Sequence, residues 1–76
     1  MKLLKGYRYI ATDPDMLGGQ PVVKGTRLSV AFILSCLAQE MTTEEIAQTY
    51  APFPAAAIPE VLRLASEVLD ARRVVA

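Results

Sequence analysis

The chain has 76 residues, with one cysteine and no histidine. A single small domain fits this length, and it buries only roughly 60% of its unfolded surface. The composition excludes an intrachain disulfide, a zinc site of the usual four ligands, and the Ser-His and Cys-His pairs of nucleophilic catalysis. Hydrophobic residues make up 53%, which argues against a disordered chain. Eight basic and eight acidic residues give a formal net charge of zero, which counts against a strong stand-alone nucleic-acid binder. Self-association remains as the available source of extra stability.

The zero is a sum of two poles. Residues 1–27 carry Lys2, Lys5, Arg8, Lys24 and Arg27 against Asp13 and Asp15, while the rest of the chain is acidic by the same margin. Contact between such poles, within or between chains, is one use of the arrangement. The longest apolar run, residues 28–38, is too short to span a bilayer. Lys5 and Arg8 stand where a secretion signal would need its apolar stretch, so the expected location is the cytoplasm. Cys36 then reads as a small buried hydrophobe.

All four glycines lie before Leu28, and residues 28–76 contain none. The reading is one domain over 1–76, with a β extension at 1–28 and a helical part at 29–73. Residues 7–11 alternate like a strand. Thr12-Asp13-Pro14-Asp15 makes a turn, with Asp13 able to bond nearby backbone N–H groups. Gly18-Gly19 marks a second bend that needs positive φ. Pro21-Val22-Val23 is extended, and Lys24-Gly25 turns the chain into Thr26-Arg27-Leu28. Strands this short must pair or pack to persist.

Ser29 is placed to cap a first helix over 29–40, with Val30, Ile33, Leu34, Leu37, Ala38 and Met41 as its buried face. Phe32 and Cys36 form a second apolar strip. Thr42-Thr43-Glu44-Glu45 fits a capping box, with Met41 and Ile46 in the staple positions, and opens a helix that Pro52 and Pro54 stop near Tyr50. A third helix covers about 55–72, starting close to Ala56 because Pro59 is tolerated only in a first turn. Ile58, Val61, Leu62, Ala65 and Leu69 are its expected buried face, with Glu60, Arg63 and Glu67 as an exposed ladder.

This order matches a helix-turn-helix domain, as it would any three-helix bundle. The start of the third helix, Pro54-Ala55-Ala56-Ala57-Ile58-Pro59-Glu60, offers almost no donors to base edges, and Arg63 is the first. The cations of the β extension read either as a solvated strand surface or as a phosphate-contacting arm. Thr26 and Arg27 read structurally as a turn followed by a residue pairing with a helix carboxylate. Tyr7, Tyr9 and Phe53 read as core or interface packing. Asp13 and Asp15 are explained by turn chemistry and Glu44 and Glu45 by capping, so no catalytic residue and no cofactor is expected.

The segment from Thr12 to Val30 closely resembles the signature of the domain-of-unknown-function family numbered 433: a DP dipeptide, then GG-x-P, apolar residues, G-T-R, an apolar residue and V. The resemblance extends over about residues 7–70. It implies a mainly α fold, a three-helix homeodomain-like helix-turn-helix bundle with a short N-terminal β extension, usually dimeric. It also implies an antitoxin-like component of a type II toxin–antitoxin pair. Such a protein binds and neutralises a PIN-like ribonuclease toxin and commonly binds its own operator DNA. Gly18, Gly19, Pro21, Gly25, Thr26 and Arg27 carry the signature and shape the β extension and the dimer. Lys24, Thr26, Arg27 and Arg63 are the candidate DNA contacts. Arg72 and Arg73, with Arg27 as a further candidate, are those for entering a nuclease partner. The alanine- and proline-rich start of the third helix departs from the family, which has a Thr or Ser cap followed by charged residues there. A stand-alone DNA-binding regulator and a structural dimer are the alternatives.

Overall fold

The computed structural model describes residues 1–72, with only the backbone of Arg72; the expectation for Arg73 lies outside the described residues. Three short strands, β1 (Lys2–Leu3), β2 (Ile10–Thr12) and β3 (Val22–Val23), are followed by three helices, α1 (Val30–Ala38), α2 (Thr43–Thr49) and α3 (Ala57–Arg72). The sheet is antiparallel in the order β1-β2-β3, with Leu3 opposite Ala11 and Ile10 opposite Val23.

The first strand differs from expectation. Residues 7–9 are loop, and β2 begins only at Ile10. Gly6, at φ +84°, turns the chain back after β1, and Tyr7 N–H donates to the Leu4 carbonyl at 3.0 Å. Within 7–11 only Ile10 and Ala11 enter the ladder, while Tyr7 reaches α3 through its hydroxyl and Arg8 and Tyr9 through their N–H groups.

Asp13 closes its turn as expected, its Oδ1 accepting from Asp15 N–H at 2.9 Å. Gly18 and Gly19 adopt φ of +67° and +82° in a 3₁₀ turn over Leu17–Gly19. Pro21 offers its carbonyl to Val30 N–H at 2.9 Å, which ties this loop to the first turn of α1. Ser29 caps α1 by accepting from Phe32 N–H. The end of α1 is a Schellman closure: Glu40 N–H reaches the Leu37 carbonyl and Met41 N–H the Cys36 carbonyl, with Glu40 at φ +65°.

The capping box of α2 is complete. Thr42 Oγ1 accepts from Glu45 N–H at 3.1 Å, and the Glu45 carboxylate accepts from Thr42 N–H at 2.9 Å. Those bonds to Thr42 hold the Glu45 carboxyl below its ordinary pKa. Residues 50–56 separate α2 from α3, longer than the four-residue connection expected. Pro59 occupies the third position of α3, where its missing N–H has no intrahelical partner to lose.

The core gathers Ile10 and Val23 from the sheet, Val30, Ile33 and Cys36 from α1, Ile46 from α2, and Ala57 and Val61 from α3. Tyr7, Tyr9 and Phe53 pack half-buried against it. Two helix faces are corrected. On α1, Cys36 is buried and Ala38 exposed. On α3, Ala57, Val61 and Leu64 turn inward, while Leu62 and Leu69 are 50% and 55% exposed. Phe32 sits edge-on to Tyr50, with ring centroids 4.8 Å apart. No helix among the described residues is long and apolar enough to cross a membrane.

Candidate functional site

Two turns of the same chemistry lie at one end of the sheet. Leu4-Lys5-Gly6-Tyr7 and Val23-Lys24-Gly25-Thr26 each close with a first-to-fourth backbone hydrogen bond of 3.0 Å. Each has glycine third, at φ +84° and +82°. That conformation is a type II turn, where a side chain at the third position would be strained. Leu4 N–H donates to the Ile10 carbonyl and Lys24 N–H to the Tyr9 carbonyl, which sets both turns beside the start of β2.

The two loops carry Lys5, Arg8, Lys24 and Arg27, all exposed. Neither ion pair found among the described residues involves any of the four. The expected pairing of Arg27 with a helix carboxylate is therefore not formed there. Arg27 borders a shallow groove with Met1, Met16, Leu28 and Tyr50. Lys2 lies at the opposite end, across from Thr12.

Thr26 has a different place from its neighbours. It is buried, donates its hydroxyl to the Val23 carbonyl at 2.8 Å, and accepts from Leu28 N–H at 3.0 Å. Its hydroxyl stiffens the turn that holds Lys24 and Arg27 and is not presented to an outside ligand. Thr26, read above as both a signature residue and a DNA contact, thus has its hydroxyl engaged within its own turn.

One face of α3 clamps this end of the sheet. Glu60, Arg63 and Glu67 follow the i, i+3, i+7 spacing of neighbours on a helix. The Glu60 carboxylate accepts from Arg8 N–H at 3.0 Å and from Tyr9 N–H at 2.8 Å. The Arg63 guanidinium lies 3.9 Å from the Tyr7 ring centre and donates to the Gly6 carbonyl. Its Nε is 3.4 Å from Glu67, which accepts the Tyr7 hydroxyl at 2.6 Å. Its contact with Tyr7 raises the Arg63 pKa above the ordinary arginine value.

The expected ladder is thus a set of tertiary contacts as well as a helix-surface pair. Arg63, read as a DNA contact, is engaged within the chain. Arg72 lies in the last turn of α3, away from the residues that make the clamp. The structure therefore sets Lys5 and Lys24 on neighbouring turns, with Arg8 and Arg27 next in sequence and Arg27 also bordering the groove beside Met1; Thr26 and Arg63 are engaged within the chain. Lys5 and Arg8 could have been grouped with Lys24 from the repeated Lys-Gly dipeptide. Nothing local marks Glu60 as the anchor of residues 8 and 9.

Residues 10–65 match the model of the family described as "Protein of unknown function (DUF433)". The chain belongs to this family. The matched span includes β2, β3, the 24–27 turn, α1, α2 and the clamp residues Glu60 and Arg63 of α3. No curated protein and no solved structure shows significant similarity to the chain. The DUF433 signature is physically a set of turns: Gly18-Gly19 and Pro21 fasten the sheet to α1, and Gly25-Thr26 fixes the loop between Lys24 and Arg27.

Proposed function

We propose that this DUF433 protein is an antitoxin-like component of a type II pair, which binds and neutralises a PIN-like ribonuclease. The observation that carries this reading is the set of four exposed cations, free of ion pairs among the described residues, with Lys5 and Lys24 in the two glycine turns and Arg8 and Arg27 just after them. A PIN-type site gathers carboxylates to hold a metal ion, and a rigid basic surface complements it in charge. Stiff turns lose little freedom on docking, so more of the attraction is left for affinity. Arg27 and Lys24 are the residues assigned to the acidic site, with Lys5 and Arg8 beside them.

The helix-turn-helix reading keeps the support of helix order but requires a change in detail. The Glu60, Arg63 and Glu67 face of α3 is occupied by residues 6–9, so any contact with operator DNA would fall to phosphates at the Lys-Gly turns. Such binding would be salt-dependent and weakly selective for sequence. Operation as a stand-alone regulator is the second reading, resting on the same four cations.

Co-expression with the product of the adjacent reading frame tests the proposal. A stable complex should form and suppress nuclease activity, and a Lys24→Glu, Arg27→Glu double variant should restore at least tenfold more activity at equal concentration. An unaffected complex would reject the assignment of the basic end. A neighbouring product that is no nuclease, with no complex formed, would reject the antitoxin reading itself. Tight, sequence-selective retention of operator DNA by the chain alone would favour the second reading.

A further inference from the structure

The shallow groove beside the 24–27 turn has a chemistry of its own. Met1, Met16, Arg27, Leu28, Tyr50 and Ala51 line about 490 Å³, within the roughly 300–1,000 Å³ of sites that hold a compact organic group. Its walls are fixed by several elements. Leu28 N–H donates to the Thr26 hydroxyl, and the Leu28 carbonyl accepts from Val23 N–H, both at 3.0 Å. Tyr50 ends α2, with its N–H bonded to the Ile46 carbonyl and its ring set edge-on to Phe32. Tyr50 is nevertheless 50% exposed. Met16 precedes Leu17, an exposed apolar residue at φ +50°, a left-handed conformation unfavourable to any residue with a Cβ. Backbone strain of this kind gathers at ligand clamps.

The lining says what kind of group fits. Met, Tyr and Arg are enriched at protein interfaces, whereas Lys, Glu, Asp and Ser are depleted there and do not line this groove among the described residues. Methionine side chains adapt to the shape of an apolar visitor. A tyrosine already held in place loses little freedom when it is covered. Arg27 is the charged residue of the lining and forms no ion pair among the described residues. Its complement is a carboxylate, which a guanidinium binds through two parallel N–H groups. A nucleic-acid strand fits less well, because it needs a row of aromatic platforms and cations, and the lining supplies one of each. We infer that the groove receives an acidic–apolar segment of a protein partner, with an aromatic or aliphatic side chain against Tyr50 and Met16 and an adjacent carboxylate on Arg27. The inference rests on the reading of the basic end as the surface that meets an acidic partner, and it adds the apolar half of that recognition. Charge draws the partner in, and the side chain buried beside Tyr50 holds it when salt screens the charge.

Titration of the labelled full chain with the blocked peptide acetyl-Gly-Asp-Phe-Asp-Gly-amide, followed by amide and methionine-methyl chemical shifts, tests the inference. The expected result is saturable binding in the millimolar range, with the largest changes at Met16, Arg27, Leu28 and Tyr50. Peptides with Gly in place of Phe, or Asn in place of both Asp, should bind at least about fivefold more weakly. Tyr50→Ser and Arg27→Gln should each weaken the Phe peptide by at least about fivefold. Leu62→Ser, equally exposed but outside the groove, should change it by less than about twofold. The three peptides are compared on the unaltered chain, so that comparison does not depend on any variant folding. Equal binding of the three peptides, no saturable binding, or changes centred outside the groove would overturn the inference. Stronger changes at the same residues with an octamer of uridylate would also overturn it and give the groove to single-stranded nucleic acid. The nuclease reading fails separately: a neighbouring product that forms no complex rejects that reading, and the peptides still decide the groove. Where the complex forms, Tyr50→Ser should weaken it at least about tenfold even at about 0.5 M salt, where screening leaves Lys24→Glu with little effect. A complex indifferent to Tyr50→Ser would overturn the inference and leave the charge reading standing.

Discussion

Glu60→Ala removes the acceptor that holds Arg8 and Tyr9 against α3. The carboxylate receives two backbone N–H groups at 2.8–3.0 Å, one of them partly buried. Hydrogen bonds to a charged group are worth roughly 1.5–3 kcal/mol each, and a donor left unpaired in a partly buried place costs about 1–3 kcal/mol. Arg8 is exposed and its N–H can turn to water, so the full sum does not apply. Removing the carboxylate should therefore cost about 2–3 kcal/mol, to which its place in the first turn of α3 adds about 0.3–1 kcal/mol. A domain of this length has roughly 4–11 kcal/mol in all, so the loss is a large share. Glu60→Gln keeps an oxygen acceptor without the charge and should lose about half as much. Arg63→Ala removes exposed contacts only and should lower stability less than Glu60→Ala does. Urea unfolding followed by far-ultraviolet circular dichroism measures all three. With a slope near 1 kcal/mol/M for so small a protein, Glu60→Ala should lower the midpoint by about 2–4 M. A fall below 0.5 M, or a larger fall for Arg63→Ala, would refute the reasoning that Glu60 is the anchor.

Three other outcomes follow from single residues. Thr42→Ala opens the capping box of α2 and should cost about 1 kcal/mol in the same urea experiment. The Glu45 carboxyl is held below its ordinary pKa by Thr42, so its contribution is complete above the ordinary carboxylate range and is lost as pH falls through the lowered value; Glu45→Gln should remove that part of the acid dependence of unfolding. Glu40 occupies the left-handed position of the Schellman closure of α1, with its charge at the negative end of the helix. Glu40→Gly should therefore raise stability, by about 1 kcal/mol, seen as a higher thermal midpoint.

The parts of this fold that depend on neighbours in sequence were legible there. The Ser29 cap, the Thr42–Glu45 box, the Asp13 turn and the positive φ at Gly18 and Gly19 all involve residues a few positions apart, where chemistry and spacing are enough. The face of α3 was not legible, because Val61, Leu62, Leu64, Ala65, Val68 and Leu69 spread over an arc of about 160°, wider than one buried stripe, and periodicity alone does not choose between them. The choice is made over a long range, by Glu60 at Arg8 and Tyr9 and by Glu67 at Tyr7. The same contacts explain the misplaced strand, since the N–H groups of Arg8 and Tyr9 serve a carboxylate instead of a ladder. In the candidate site, Lys24 and Arg27 were visible from the signature. The placing of Lys5 beside Lys24 required the sheet register, and the engagement of Thr26 and Arg63 within the chain shows only in their hydrogen bonds.

The central claim is that the basic end of the sheet, rather than α3, meets the partner. Backbone amide chemical shifts of the labelled 76-residue chain, recorded while the product of the adjacent reading frame is added, test it most directly. The account predicts that the largest changes fall on the two Lys-Gly turns, at Lys5, Arg8, Lys24 and Arg27, and weaken as salt is raised. Changes centred on the C-terminal half of α3, or none at all, would contradict it.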